Sequence, residues 1–286
     1  MRKQSINDRS SLMRKGGYGR HHGLNRLVML LVLIMSLTLF TACQDNSNSG
    51  KKLVVGLDDT FAPMGFRDEK GELVGFDIDL ARAVGEELGV EVEFKPIKWE
   101  AKEMELNSKN IDCIWNGMSQ TPEREEALSL SKKYLNNRIV LLSLKEDVDS
   151  KKVQIAADAD LSNFKIATQA DSSALEVLKK SPSYDDFKGN ITEYESYDNT
   201  ILDLQSGRVD VIAIDQVLGE FKNNNLKGIL AENELDLGED FYVIGFRKDD
   251  TDLTNKVNDS IKKLIDNGKA AEISNKWFGK DIMIFE

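Results

Sequence analysis

After Gly50 the chain settles into short apolar segments separated by charged ones, and their spacing predicts the elements. Lys52-Leu-Val-Val-Gly-Leu57 is β-branched and ends at acids, as a buried strand does. Gly75-Phe-Asp-Ile-Asp79 opens a predicted helix that runs to about Leu88. Asp77 and Asp79 sit at its N-terminal end, where the helix dipole favours acids, and Gly89 closes it. Val90 to Ile97 alternates as a second strand. A helical stretch over 101–108, a strand over Ile111-Asp-Cys-Ile-Trp115 and a helix start at Thr121-Pro-Glu-Arg-Glu-Glu follow, the last with proline in its first turn.

The second half repeats the alternation. Arg138-Ile-Val-Leu-Leu-Ser-Leu144 is extended and apolar, and 145–161 is polar and loosely patterned. Phe164-Lys-Ile-Ala-Thr168 reads as a strand, and Asp171-Ser-Ser-Ala-Leu-Glu-Val-Leu as a capped helix with Pro182 beyond its end. Residues 199–204 read as a helix stopped by Gly207, and 209–214 as a strand. Phe241 to Arg247 is again extended. Leu253, Val257, Ile261 and Leu264 form one helical face, ending at Asn267-Gly268, and a last helix carries Ile273 and Trp277.

Strands alternating with helices imply an α/β fold with a mainly parallel sheet covered on both faces. The two extended apolar segments read as crossings between lobes. The first lobe is then discontinuous, over 51–139 and 246–286, with a second lobe over 143–240 inserted into it and a hinge between them.

The N-terminus has a different chemistry. Residues 1–26 carry seven basic residues against Asp8, and Leu27 to Phe40 is an apolar run of 14 residues. That run is short for a membrane span of about 20 residues and has the layout of an export signal. It leads to Leu37-Thr-Leu-Phe-Thr-Ala-Cys43, which resembles a bacterial lipobox, with Phe40 standing where that pattern usually has Leu. The resemblance implies a signal peptide over 1–42, a lipid on Cys43, a tether over 43–50 and an extracytoplasmic, membrane-anchored protein. Removing 1–42 takes away seven of 38 basic and one of 49 acidic residues and leaves a charge of −17. Such a surface repels nucleic acid. Cys113 is then the one cysteine besides the anchor and reads as a small buried hydrophobe. Both histidines, His21 and His22, lie in the predicted signal, so Ser-His or Cys-His catalysis and histidine-ligated metals are excluded in the mature chain. No cofactor is expected.

Read from the residues alone, Arg124 in Glu-Arg-Glu-Glu is better explained as a solvated arginine than as a ligand group. Asp215 ends an apolar strand, where carboxylates face the crevice of an open α/β sheet, and a turn residue is the plainer alternative. Asn116-Gly117 reads as a loop after a strand whose exposed amides suit an anion. A helix N-cap explains Ser172 almost as well as a ligand contact, and core packing is the rival for Phe61 and Trp115, whereas Trp99, in Lys-Trp-Glu between a strand and a helix, reads as a loop aromatic and less like a core residue.

Six segments in order then resemble family 3 of the bacterial extracellular solute-binding proteins: Leu53-Val-Val-Gly; Phe61-Ala-Pro-Met-Gly-Phe; Gly75-Phe-Asp-Ile-Asp-Leu-Ala; Asp112-Cys-Ile-Trp-Asn-Gly-Met-Ser-Gln-Thr-Pro-Glu-Arg124; Gly207-Arg-Val-Asp-Val-Ile-Ala-Ile-Asp215; and Lys276-Trp-Phe-Gly. The resemblance implies a type II periplasmic-binding-protein-like fold and, as function, capture of a polar, cystine-type amino acid for an ABC importer. The implied partners are that small molecule and the importer's membrane subunits, with the chain a monomer. It further implies that Arg124 grips the α-carboxylate in two-pronged fashion. Gly117 and Ser119 supply a backbone group and a hydroxyl, Asn116 an amide, Ser172 a helix start, and Asp215 the carboxylate for the α-ammonium. Asp58, Phe61 and Trp99 line the side-chain pocket, with Asp58 receiving a polar or cationic tip. A dehydratase on the same fold and a sensory receptor domain are the rival readings.

Overall fold

The computed structural model describes residues 52–286. The signal, Cys43 and tether assignments lie outside the described residues. In the first part of the chain, β1 (Lys52–Leu57) leads to a small antiparallel sheet of β2 (Thr60–Phe61), β3 (Gly65–Arg67) and β4 (Leu73–Val74). Then come α1 (Phe76–Leu88), β5 (Glu91–Pro96), a tight turn at Trp99–Ala101, α2 (Lys102–Asn107), β6 (Cys113–Ser119), α3 (Pro122–Ala127) and β7 (Leu128–Leu130). The long strand β8 (Leu135–Leu144) carries the chain into α4 (Lys145–Asp149), β9 (Ile166–Gln169), α5 (Ser173–Lys179), α6 (Tyr184–Phe187) and β10 (Ile191–Tyr194). Next are α7 (Tyr197–Gln205), β11 (Val211–Asp215), α8 (Gln216–Asn225) and β12 (Leu230–Glu232). The second long strand, β13 (Glu239–Arg247), returns the chain to α9 (Thr251–Asp266) and α10 (Lys269–Phe278).

The main sheet runs β10-β9-β11-β8-β13-β6-β1-β5. Within each lobe three strands are parallel: β5, β1 and β6 in one, β10, β9 and β11 in the other. The expectation of a mainly parallel sheet fails at the centre. There β8 and β13 run antiparallel to each other and to β11 and β6, because each is a passage from one lobe to the other. β8 pairs through Leu135–Arg138 with β13 and through Ile139–Leu142 with β11. β13 pairs through Glu239–Tyr242 with β8 and through Tyr242–Phe246 with β6. The fold is thus a two-lobed α/β structure whose sheet is continuous through its two crossings.

Helix ends follow local chemistry. Gly89 takes the left-handed conformation that closes α1, and Thr121 caps α3 by accepting the Arg124 amide. Val257, Ile261 and Leu264 of α9 are buried on the face their spacing predicts.

One correction concerns the strand expected to stop at Trp115. β6 continues to Ser119, so Asn116 and Gly117 are buried strand residues and not an exposed loop. Gly117 adopts φ +55°, and a Cβ there would come within 2.8 Å of the Phe61 ring. Its N–H leaves the ladder and donates to Asp77 Oδ2 at 2.7 Å.

Asp77 therefore has a different task from the helix-dipole one. Its buried carboxyl also accepts Tyr134 Oη at 3.0 Å and the Trp115 indole N–H at 3.2 Å, which ties α1 to β6 beneath the cleft and fixes Trp115 in the core. Burial raises its pKa from 3.8 to about 7, against these three donors. The folded protein then holds a proton that the unfolded chain has released. The contribution is full below the unfolded value near pH 4 and is lost as pH rises through about 7. Asp77→Asn is expected to flatten that slope in denaturant titrations at several pH values. Asp77→Ala, which leaves three buried donors unpartnered at about 1–3 kcal/mol each, should lower the midpoint markedly; a midpoint equal to the parent's contradicts this account.

Candidate functional site

The site gathers where strand ends from both lobes meet. From the first lobe come the C-terminal ends of β1 and β6, the turn at Trp99 and the start of α3. From the second come the end of β9, the start of α5 and the end of β11. Phe61, Trp99, Asn116, Gly117, Ser119, Arg124, Ser172 and Asp215 line one cavity, joined by Gln169 and Ser173. Asp58 stands just outside its wall, in a neighbouring opening with Trp99, Lys98 and Glu195. All nine residues singled out in the sequence are therefore brought to one place.

Arg124 is 3% exposed, which overturns its reading as a solvated arginine. Nη1 donates to the Ser119 carbonyl at 2.9 Å, so the helix cap and its own side chain both fold it back on β6. Nη2 reaches across to the Asp171 carbonyl at 3.3 Å and lies 3.6 Å from Glu176. Asp215 faces it from the opposite lobe, at the end of β11 and the start of α8, with Oδ1 accepting from Asn137 Nδ2 at 2.8 Å and Tyr242 Oη at 3.0 Å. Burial raises the pKa of this carboxyl; the nearby Asp240 raises it further, and the donors and Arg124 oppose the rise.

The lobes are shut against each other by their own polar groups. Gln169 Nε2 donates to Asp58 Oδ2 at 2.6 Å, and Ser119 and Ser173 hydroxyls lie 2.8 Å apart. Lys102, 1% exposed, ion-pairs with Asp171 while lying 5.0 Å above the Trp99 ring. Burial, and then the Arg124 charge, push its pKa down. Lys98–Glu195 and Lys180–Glu123 pair at the exposed rim, where such contacts are weak. Burial also raises the Asp58 carboxyl, with hydrogen bonds from Thr60 and Gln169 working against it.

Enclosed this way, the cavity measures about 10 Å³. Small-molecule sites commonly occupy about 300–1,000 Å³. A molecule of ordinary ligand size enters only if the lobes part.

Two further readings change in the structure. The Gly117 amide is committed to Asp77, so it is no anion donor; the expected cluster of exposed amides does not form. Trp99, read as less like a core residue, is 8% exposed and packs with Leu106 and Ile111 while also facing the cavity. Ser172 is the N-cap of α5, accepting from the Leu175 amide at 3.2 Å, and its hydroxyl still lines the cavity.

The family model for bacterial extracellular solute-binding proteins, family 3, matches residues 53–280. The chain belongs to that family. It is 30% identical over 265 residues to the arginine-binding extracellular protein ArtP of Bacillus subtilis, covering 89% of this chain and 98% of that one. To the L-cystine-binding protein TcyJ of Escherichia coli it is 29% identical over 273 residues, covering 94% and 99%. Among solved structures, an ABC uptake transporter substrate binding protein from Streptococcus pneumoniae with bound histidine matches at TM-score 0.71 and 34% identity, over 81% of this chain and 94% of that one.

Sequence reasoning passed over Gln169, Ser173, Lys102, Asn137 and Asp240, all of which the fold brings to the family's cleft or its wall. Ser173, beside Ser172 at a helix start, carried a local signal. Asn137 and Asp240 carried none, since each lies one residue before the apolar segment that the pattern reads as a crossing, and only the structure extends β8 and β13 to include them.

Proposed function

We propose that the protein captures a free polar amino acid outside the cytoplasm and hands it to the membrane subunits of an ABC importer. One observation carries this reading: Arg124 and Asp215, of opposite charge and from opposite lobes, face the same water-excluding cavity. A zwitterion spanning them meets a guanidinium at its carboxylate and a carboxylate at its ammonium, which offsets the desolvation of both charges. The relatives that bind arginine, cystine and histidine support the ligand class. Asp58 and Gln169, with the faces of Phe61 and Trp99, favour a side chain with a polar tip and an apolar stem. The lobes are taken as 51–139 with 246–286, and 143–240, a division supported by β8 and β13 each pairing with strands on both sides. The act is capture without chemistry, so a bound amino acid should be recovered unchanged by mass spectrometry.

Calorimetry on a panel including L-arginine, L-cystine, L-histidine and L-glutamine tests the assignment, with circular dichroism to confirm folding. Losing one partner of a desolvated charge pair costs about 2–5 kcal/mol, so Arg124→Ala should weaken every accepted amino acid by more than about thirtyfold. Trp99→Ala should reorder the panel. Parental affinity in folded Arg124→Ala sinks the carboxylate assignment.

The lipobox-like run ending at Cys43 supports a lipid anchor. On that reading, a Cys43→Ser variant leaves the membrane fraction in which the parent is recovered. Equal recovery of both there refutes the anchor.

A further inference from the structure

Asp240 lies next to the site and takes no part in the reading given so far. It sits on β13 directly opposite Asn137 on β8, at the crossing between the lobes. Asn137 Nδ2 donates to Asp240 Oδ2 at 2.6 Å and to Asp215 Oδ1 at 2.8 Å, so one amide nitrogen stands between two carboxyl groups. Both are buried, at 7% and 3% exposure. Their hydrogen-bond partners are neutral: Tyr242 Oη on Asp215, Ser119 Oγ at 2.7 Å on Asp240, and the shared amide. Of the other ionisable groups that face them, Tyr197 on α7 and Tyr242 on β13 are neutral phenols raised further by burial. Arg124 on α3 is the nearby cation, and its guanidinium already bonds the Ser119 and Asp171 carbonyls.

Two carboxylates that share one donor away from water do not both ionise readily; together they hold a proton as a unit. An arriving ammonium supplies the missing positive charge and removes the reason to keep that proton. We propose that Asp240 is a positioning residue for the ammonium subsite, sharing one proton with Asp215 until an ammonium displaces it, so that capture releases one proton to solvent. The charge balances: a cation enters, a proton leaves, and the ligand's own ammonium keeps all its protons. Both groups are displaced upward from the ordinary aspartate value, in the direction this requires. Affinity then rises with pH across the range in which the free pair holds its proton, and levels off above it.

The proposal rests on the amino-acid reading of the site, and two arms separate their failures. The first needs no ligand: carbon-13 carboxyl titration of aspartate-labelled protein, assigned with Asp215→Asn and Asp240→Asn. A carboxyl at Asp215 or Asp240 should titrate well above pH 5, and the Asp215 signal should move to lower pH in Asp240→Asn. The second is calorimetry with L-arginine and L-cystine in two buffers of different ionisation enthalpy. The parent should release close to one proton per amino acid bound and lose more than about tenfold in affinity between about pH 7.5 and 5.5. Folded Asp240→Asn should release few or none and lose less than about threefold. A residue that only shaped the cleft would change affinity without changing the proton count. A parent in which both carboxyls titrate normally, or an Asp240→Asn protein releasing as many protons as the parent, overturns the proposal. The expected raised titration with neither amino acid bound would instead count against the ligand class.

Discussion

Everything in the cleft depends on the antiparallel pairing of Leu135–Arg138 with Glu239–Tyr242. Those eight residues are the middle of one continuous sheet and also the passage between two lobes. Because β8 and β13 each spend half their length on either side, a change at this junction re-aims strand ends in both lobes together. β6, β9 and β11 all end at the cleft, and their last residues are Ser119, Gln169 and Asp215. The site is a consequence of where strands stop, as in other open α/β sheets.

Burial sets the second constraint. Asp58, Asp77, Asp215, Asp240, Lys102 and Arg124 are all largely removed from water, and each is held by hydrogen bonds or an opposite charge. The ion pairs and hydrogen bonds that cross between lobes favour the closed form, since they exist only when the lobes meet. Asp171 is the focus of them: its carboxylate takes Lys102 and its carbonyl takes Arg124. A ligand that competes for Arg124 must supply at least as much as the Asp171 carbonyl does, which a carboxylate can through two parallel bonds.

Much of this is legible in the sequence itself. Gly89, Thr121-Pro122 and Ser172 announce helix ends through local chemistry, and those ends form where they were expected. The candidate residues converge because family motifs report on strand ends, which the fold keeps together. What escaped is long-range. The Gly117 amide reads as free in sequence because its acceptor, Asp77, is 40 positions away. Asn137 and Asp240 are 103 positions apart and meet only through strand register. Trp99 reads as a loop aromatic until Leu106, Ile111 and Lys102 surround it. The short β2–β4 sheet left no periodic trace, since two- and three-residue strands are shorter than any pattern that would reveal them.

The central claim is that recognition charges are divided between lobes and become one site only on closure. Small-angle X-ray scattering on the protein, without and with a saturating amino acid whose binding calorimetry has established, addresses it directly. The account predicts a smaller radius of gyration with the amino acid, and no such change for folded Arg124→Ala at the same concentration. An unchanged radius in the parent, with binding confirmed, contradicts it.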